Sequence, residues 1–460
     1  MQENNTIKVR LNVLQRIRYS IFPGTLQRPE YRERYRNFFN SLVLHFRPRS
    51  VHERTLRFTL TLGLGGMAVV LVCMLFATGL MLKFVYQPIP DRAYESIIHL
   101  QNDVLFGQLI RNIHHWSGNI LLVIVFLHLL RVFFTGAFHP PRQFNWIIGM
   151  AMFLAVLTSN ITGYLLPWDQ LAYWAITICT GMLEYVPGIG DWLQGLIRGG
   201  SDIGPATLSI FFAFHTAIIP ACMLILMPFH FWRVRKVGGL VIPHRPDEGE
   251  ESEDKKVPSI PNLILREMVV ALVLIAGIML ISLFFNAPLG AKANPGLSPN
   301  PTKAPWYFAG IQELLVHFHP LFALFIIPAF ILIAMLSIPY LNYQTNTGGV
   351  WFASIKGRRL AVAAALLAVI LAPIGIAADE FIIDFAAWMP GLSPVVSNGI
   401  FPAALVLAGI ILLYWLVKKK YAASNNESIQ AVFVLLTVAF IILTITGIWF
   451  RGKGMALMWP

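Results

Sequence analysis

Residues 111–131 read RNIHHWSGNILLVIVFLHLLR. The centre is apolar, and the run is close to the ~20 residues that a bilayer-crossing helix needs. It nevertheless carries His114 and His128, with Arg111 and Arg131 just outside them. Ionisable groups are costly inside a membrane, so each asks for a use. At 100° per residue, 14 steps return to within about 40° of the same face and rise about 21 Å. The two imidazoles therefore share a face, one near each membrane surface. A second apolar run carries His215 and His230. Its 15 steps overshoot the same face by about 60° at nearly the same rise. One intramembrane His can simply be a hydrogen-bonded packing residue. Four with matched spacing on two helices point to two His/His pairs stacked across the bilayer.

A tetrahedral zinc site needs its ligands at one level, and these histidines lie at two. Two haems suit the spacing, each iron taking axial imidazoles from opposite helices. His115 points about 100° away from His114, so His114 is the ligand in register with His128. Glycines repeat the pattern: Gly65 and Gly79 on one helix, Gly149 and Gly163 on another. A missing side chain lets a flat macrocycle approach the backbone, one glycine beside each haem. Arg111 and Arg131 are placed to meet haem propionates, although interfacial anchors would read the same way.

The rest of the chain agrees with a membrane protein. Of 460 residues, 56% are hydrophobic and only 13% charged, too few charges to cover a soluble surface. Nine apolar spans, A to I, fall near 59–84, 113–135, 144–165, 208–232, 263–285, 318–338, 359–378, 400–417 and 429–450. The expected fold is an all-α integral membrane protein: a four-helix dihaem bundle followed by about five further transmembrane helices. Expected domains are a basic tail (1–57), the dihaem domain (58–242), a linker (243–261), a second domain (262–380) and extra C-terminal helices (381–460). The tail, with Leu14 and Ile17 among Arg16 and Arg18, reads as a surface-lying or solvated cytoplasmic segment and not as a cleavable signal. Alternate loops are basic (Arg142; Arg233, Arg235 and Lys236; Arg358 and Arg359; Lys418 to Lys420) and acidic (Asp91 and Glu95; Asp169 and Asp191; Asp379 and Glu380). By the positive-inside rule the N-terminus is cytoplasmic and the C-terminus external. The net charge of +12 thus reports topology and does not imply nucleic acid. Cys73, Cys179 and Cys222 form no CxxC or CxxCH, which excludes a disulfide scaffold.

Over most of residues 50–340 the chain resembles the cytochrome b family of respiratory and photosynthetic bc complexes. The resemblance rests on Arg111…His114…His128…Arg131, on Gly163-Tyr164-Leu165-Leu166-Pro167-Trp168-Asp169-Gln170, on Phe214-His215…His230 and on Pro305-Trp306-Tyr307-Phe308. It looks like a fusion of the photosynthetic-type cytochrome b with its subunit IV. The resemblance implies two non-covalent haem b groups and quinol oxidation at an outer site near Trp306 and Tyr307. One electron leaves to a Rieske iron–sulfur protein or c-type cytochrome. The other passes by the outer haem (His114, His215) and inner haem (His128, His230) to a quinone site on the inner side. There Arg266 and Glu267 stand where the family starts helix E with a charged pair, and Arg235 can meet a propionate or the quinone. A homodimeric multisubunit complex in a bacterial inner membrane is also implied.

Three departures stand out. Pro305 occupies the place where the family's outer loop carries Glu, a proposed proton acceptor. Glu313 is the first substitute, with partial burial expected to raise its pKa, and Asp169 the second. Gly63-Leu64-Gly65-Gly66 lacks the Cys to which the photosynthetic branch attaches an extra haem. The last two spans lie outside the resemblance. The competing readings are a haem b anchor exchanging electrons between quinone and a periplasmic multihaem cytochrome or dehydrogenase without a Rieske protein, and a haem-free transporter bundle.

Overall fold

The computed structural model describes residues 12–21, 50–243, 255–343 and 348–459. Ile7, Lys8, Val9, Arg10 and Leu11 of the tail, and the acidic linker stretch from His244 to Glu251, lie outside them. Helix α1 (Val13–Ile21) is amphipathic and packs on the helix at Gln143–Leu165 and on the turn at Ile338–Tyr340, where Arg16 donates to the Tyr340 carbonyl at 3.3 Å. Nine helices among the described residues are long and apolar enough to span a bilayer, one for each of spans A to I. The first five are α2 (Leu64–Lys83), α4 (Gly107–Phe134), α5 (Gln143–Leu165), α8 (Pro205–Lys236) and α9 (Ser259–Phe284). The last four are α11 (Phe322–Tyr340), α12 (Ile355–Phe381), α13 (Val396–Lys420) and α14 (Asn425–Trp449).

Four short helices escape a hydropathy reading because they cross nothing: α3 (Pro90–Asn102), α6 (Gln170–Gly181), α7 (Gly190–Arg198) and α10 (Ala309–His317). All lie on connections at one end of the bundle, called here the loop end. Helix α3 begins with Pro90, whose fixed φ and missing N–H suit a first turn, and buries Ala93, Ile97 and Leu100. At the opposite, tail end, β1 (Ser50–His52) pairs antiparallel with β2 (Lys256–Pro258), Val51 facing Val257. This ribbon fixes the entry to α2 beside the start of α9.

Helices α2 and α4 pack together, as do α5 and α8, while α4 also touches α5 and α9. Their shared core holds Leu71, Leu121, Leu122, Val156, Met223 and Ile278. Lipid-facing positions such as Leu272, Val273, Leu366 and Ile370 remain exposed, as a bilayer solvent allows. Three spanning helices, α8, α11 and α13, begin with or contain a π-turn, at Phe214–Ile218, Phe322–Ile326 and Val396–Ile400. Each ends two residues before a proline: Pro220, Pro328 and Pro402. A proline cannot donate to the carbonyl four residues back and clashes with it. A wider turn accommodates both effects.

The last helix is no loose appendage. Helix α14 packs along α12, α10 and α13. Gly447 lies directly against the α10 backbone, for a Cβ there would lie 2.7 Å from the Ala309 carbonyl oxygen. Replacing Gly447 with Val should therefore force α10 and α14 apart and destabilise the protein by about 1–3 kcal/mol. Gly200→Val, at a position with no neighbour within 4 Å of a Cβ, serves as the comparison. Equal thermal midpoints in detergent for the two variants would contradict this packing.

Candidate functional site

The glycines and histidines meet one to one. A Cβ on Gly79 would lie 3.1 Å from Cε1 of His114, and one on Gly65 3.5 Å from Cε1 of His128. Across the bundle, a Cβ on Gly163 would lie 2.5 Å from Cε1 of His215, and one on Gly149 3.7 Å from Cε1 of His230. Helix α2 thus yields room to the α4 imidazoles, and α5 to the α8 imidazoles, at two levels. The His114 and His215 rings face each other at 6.1 Å between centres, inclined by 72°. With metal–imidazole bonds of about 2 Å and ring centres set back about another ångström, one metal fits midway between them. His128 and His230 are electrostatic neighbours at the other level.

The 15-residue spacing on α8 is reconciled by the π-turn. His215 lies inside Phe214–Ile218, where a turn takes up an extra residue. That absorbs the angular overshoot and returns His230 to the face of His215. Protonation geometry also favours ligation at the upper level. Thr78 donates its hydroxyl to the Met74 carbonyl at 2.7 Å, so its oxygen accepts from Nδ1 of His114 at 2.9 Å. His215 Nδ1 donates to the Ser159 carbonyl at 3.0 Å. Both rings then carry their proton on Nδ1 and present a bare Nε2, the arrangement in which an outer hydrogen bond fixes a ligand's tautomer. Nothing in the sequence singled out Thr78, because a threonine bonded to its own helix is ordinary.

The arginines expected at propionates are both buried and held by main-chain carbonyls. Arg131 donates from Nε to Leu60 at 2.7 Å. Arg111 donates from its two terminal nitrogens to Ala287 and Pro288, each at 2.7 Å, tying the α9–α10 loop to α4. Arg235 is half-buried at the tail end of α8, and Glu267 is half-buried on α9. Arg266 donates to the Leu56 carbonyl and lines a cavity of about 420 Å³ with His52, Arg54, Arg57 and Lys255.

At the loop end, Trp168-Asp169-Gln170 clamps the same α9–α10 loop. Asp169 caps α6 by accepting from the Ala172 N–H at 2.9 Å and also accepts from the Gly290 N–H at 3.0 Å. Trp306 donates from its indole to Asn119 at 2.6 Å. Tyr307 donates to the Asn160 carbonyl at 3.2 Å and packs on the bundle core. The Trp306–Tyr307 turn is therefore docked on α4 and α5 close to the His114 level.

Glu313 departs from expectation. It sits on α10, which ends where Phe318 turns extended. Its carboxyl is fully buried, with Arg451 donating to it from Nε at 3.0 and 3.1 Å and from a terminal nitrogen at 2.6 Å. His317 bridges Glu313 at 3.2 Å and Asp379 at 2.6 Å, and Arg451 also reaches Glu380 at 2.7 Å. Burial alone would raise the Glu313 carboxyl, but the hydrogen bonds from His317 and Arg451 outweigh it and hold it below its ordinary 4.5. The expected rise is thus overturned, and with it the reason for ranking Glu313 first as a base. Burial would likewise lower His317, yet its bonds to Asp379 and Glu313 raise it from 6.5 to about 9.

A multi-pass membrane protein with two glycine-flanked histidine pairs stacked through its first four spanning helices is the class defined so far. Residues 53–238 match the family model for cytochrome b/b6/petB. The cytochrome b6 of Prochlorococcus marinus (strain AS9601) is 41% identical over 175 residues, covering 38% of this chain and 80% of that protein. That of Synechococcus sp. (strain CC9605) is equally similar, at 41% over 175 residues. This chain belongs to the cytochrome b/b6 family, and the family implies haem b. The fold reaches further than the sequence likeness. A solved chain described as hyperthermophilic respiratory Complex III superposes with a TM-score of 0.62 at 21% identity, covering 90% of this chain and 96% of that one.

The ion cluster sets a pH window. The His317 contribution is complete below 6.5 and is lost as pH rises through about 9. The Glu313 contribution is present above 4.5 and is lost as pH falls below it. Thermal midpoints of the purified protein should fall at both limits. His317→Gln should remove the alkaline limb and Glu313→Gln the acidic one. Unchanged limbs in both variants would detach the cluster from stability.

Proposed function

We propose that this chain is the dihaem cytochrome b subunit of a quinol:cytochrome c oxidoreductase of the bc type. The observation that carries the reading is the one-to-one meeting of four glycines with four histidines at two levels. His114 and His215 would hold one haem and His128 and His230 the other, each without a covalent link. When bound, the haems supply single-electron transfer between the two membrane surfaces. The chain's own part is to present bare Nε2 atoms, to keep flat space beside each ring and to exclude water from the bundle.

Quinol oxidation belongs at the loop end, taken as the outer face, where Trp306 and Tyr307 form a wall fixed by Asn119 and Asn160. Quinol must shed its protons as it gives up electrons, and a positioned base assists this. Glu313 is committed to Arg451, so the role passes to Asp169, half-buried at the start of α6. Quinone reduction belongs at the tail end, beside Arg266 and Glu267. The setting is a bacterial inner membrane with a cytoplasmic N-terminus. The partners are a Rieske protein or c-type cytochrome, in a homodimeric complex. The absence of a loop carboxylate at Pro305 favours one second reading, a haem b anchor exchanging electrons between quinone and a periplasmic multihaem cytochrome or dehydrogenase without a Rieske protein. Identifying the co-purifying redox subunit separates the two.

The test is spectroscopic. A pyridine haemochrome assay should give about two haem b per chain, all extractable by acid–acetone. His114→Leu and His215→Leu should each remove one spectral component, and His128→Leu and His230→Leu the other. Equal loss in His114→Leu and His230→Leu would overturn the pairing. Asp169→Asn should slow quinol oxidation about 10²-fold with both haems in place. Near-normal turnover would remove Asp169 from the role.

A further inference from the structure

The last spanning helix and the segment after it grip the Trp306–Tyr307 turn from both sides. Before the turn, Asn300 accepts from the Gly454 N–H at 2.8 Å, and Lys303 donates to the Ile448 carbonyl at 2.8 Å. After the turn, α10 lies on α14 at Gly310, where a Cβ would come within 2.6 Å of the Thr444 hydroxyl and 2.8 Å of the Phe440 ring. Within the turn's own loop, Gln312 donates to the Thr302 carbonyl at 2.8 Å and accepts from the Ala304 N–H at 2.7 Å. The two flanks are thus stitched together as well as held from outside.

Arg451 closes the arrangement. Its side chain is fully buried and joins three pieces of chain: Glu313 on α10, Glu380 at the end of α12 and the Met455 carbonyl of its own loop at 2.9 Å. A planar guanidinium makes such contacts in fixed directions, which an ammonium cannot reproduce. His317 extends the same network to Asp379. A helix end that needed only to leave the membrane would not require a five-residue charge cluster with a fully buried Arg451–Glu313 pair at its centre.

We infer that the C-terminal segment is a structural wall of the quinol-oxidising site and that Arg451 is a positioning residue, setting Trp306 and Tyr307 against α4 and α5 through its grip on α10. This inference rests on the quinol-oxidising reading. It assigns to the last helix a share in the site itself. Arg451 touches no reacting atom; it acts through Glu313 and the geometry of the turn.

The experiment uses the purified complex with a short-chain quinol as substrate. Misplacement of a site by about 1 Å can cost on the order of 10²-fold. Arg451→Gln should raise KM for quinol about 10-fold or more on that scale, with both haem spectra and their dithionite reduction unchanged. Glu313→Gln should raise KM alike, and the double variant should do no more than either single one, because both remove the same strut. Lys453→Gln, which removes an exposed charge two residues on, should leave KM unaltered. If Arg451→Gln fails to assemble, Arg451→Lys and Asn300→Ala carry the test, since each removes part of the grip. Wild-type KM in the assembled variants overturns the inference. A wild-type complex that cannot oxidise quinol overturns the functional reading instead, whatever the variants do.

Discussion

Everything in the first half of the molecule follows from placing four imidazoles inside a membrane. A buried imidazole needs a partner for each nitrogen, and a bilayer offers none. At the upper level the Nδ1 side is met by Thr78 and by the Ser159 carbonyl, which leaves Nε2 of each ring to a ligand. The flanking helices then approach each ring only through glycine. The close contacts at Gly79 and Gly163 show how little a side chain could be tolerated there.

The second half answers a different constraint. A connection lying on the loop end must be held in place although no spanning helix fixes it. Polar main-chain bonds do this on one side, where Arg111 holds Ala287 and Pro288 and Asp169 holds Gly290. A buried ion cluster does it on the other, where Arg451 holds α10. Buried charge pairs are costly to desolvate and contribute little net stability, but removing one partner leaves the other uncompensated. Such a cluster is better suited to fixing a geometry than to strengthening a fold. That matches its location beside the Trp306–Tyr307 turn.

Much of this was legible in the residues alone. The nine spans follow from apolar length, because a bilayer leaves a helix few alternatives. The histidine and glycine registers follow from helix periodicity, and the structure sets one glycine against each histidine ring. The short helices α3, α6, α7 and α10 were not legible, since surface helices of about ten residues carry no hydropathy signal. Thr78 was hidden for a similar reason, and Arg451 carries no sign in the sequence of carboxylate partners that lie 71 and 138 residues away along the chain.

The sequence by itself determined the class, the number of spanning helices and the four histidines, because those depend on local composition and on the fixed pitch of a helix. Tertiary structure decided three things that pitch cannot. It placed a π-turn at Phe214–Ile218, which turned an apparent 15-residue mismatch into a shared face. It packed α14 against α10 and α12, and bonded Arg451 to Glu313, 138 residues earlier. And it reversed the expected direction at Glu313, whose pKa depends on Arg451 and His317 being near, a contact that no spacing along the chain reveals.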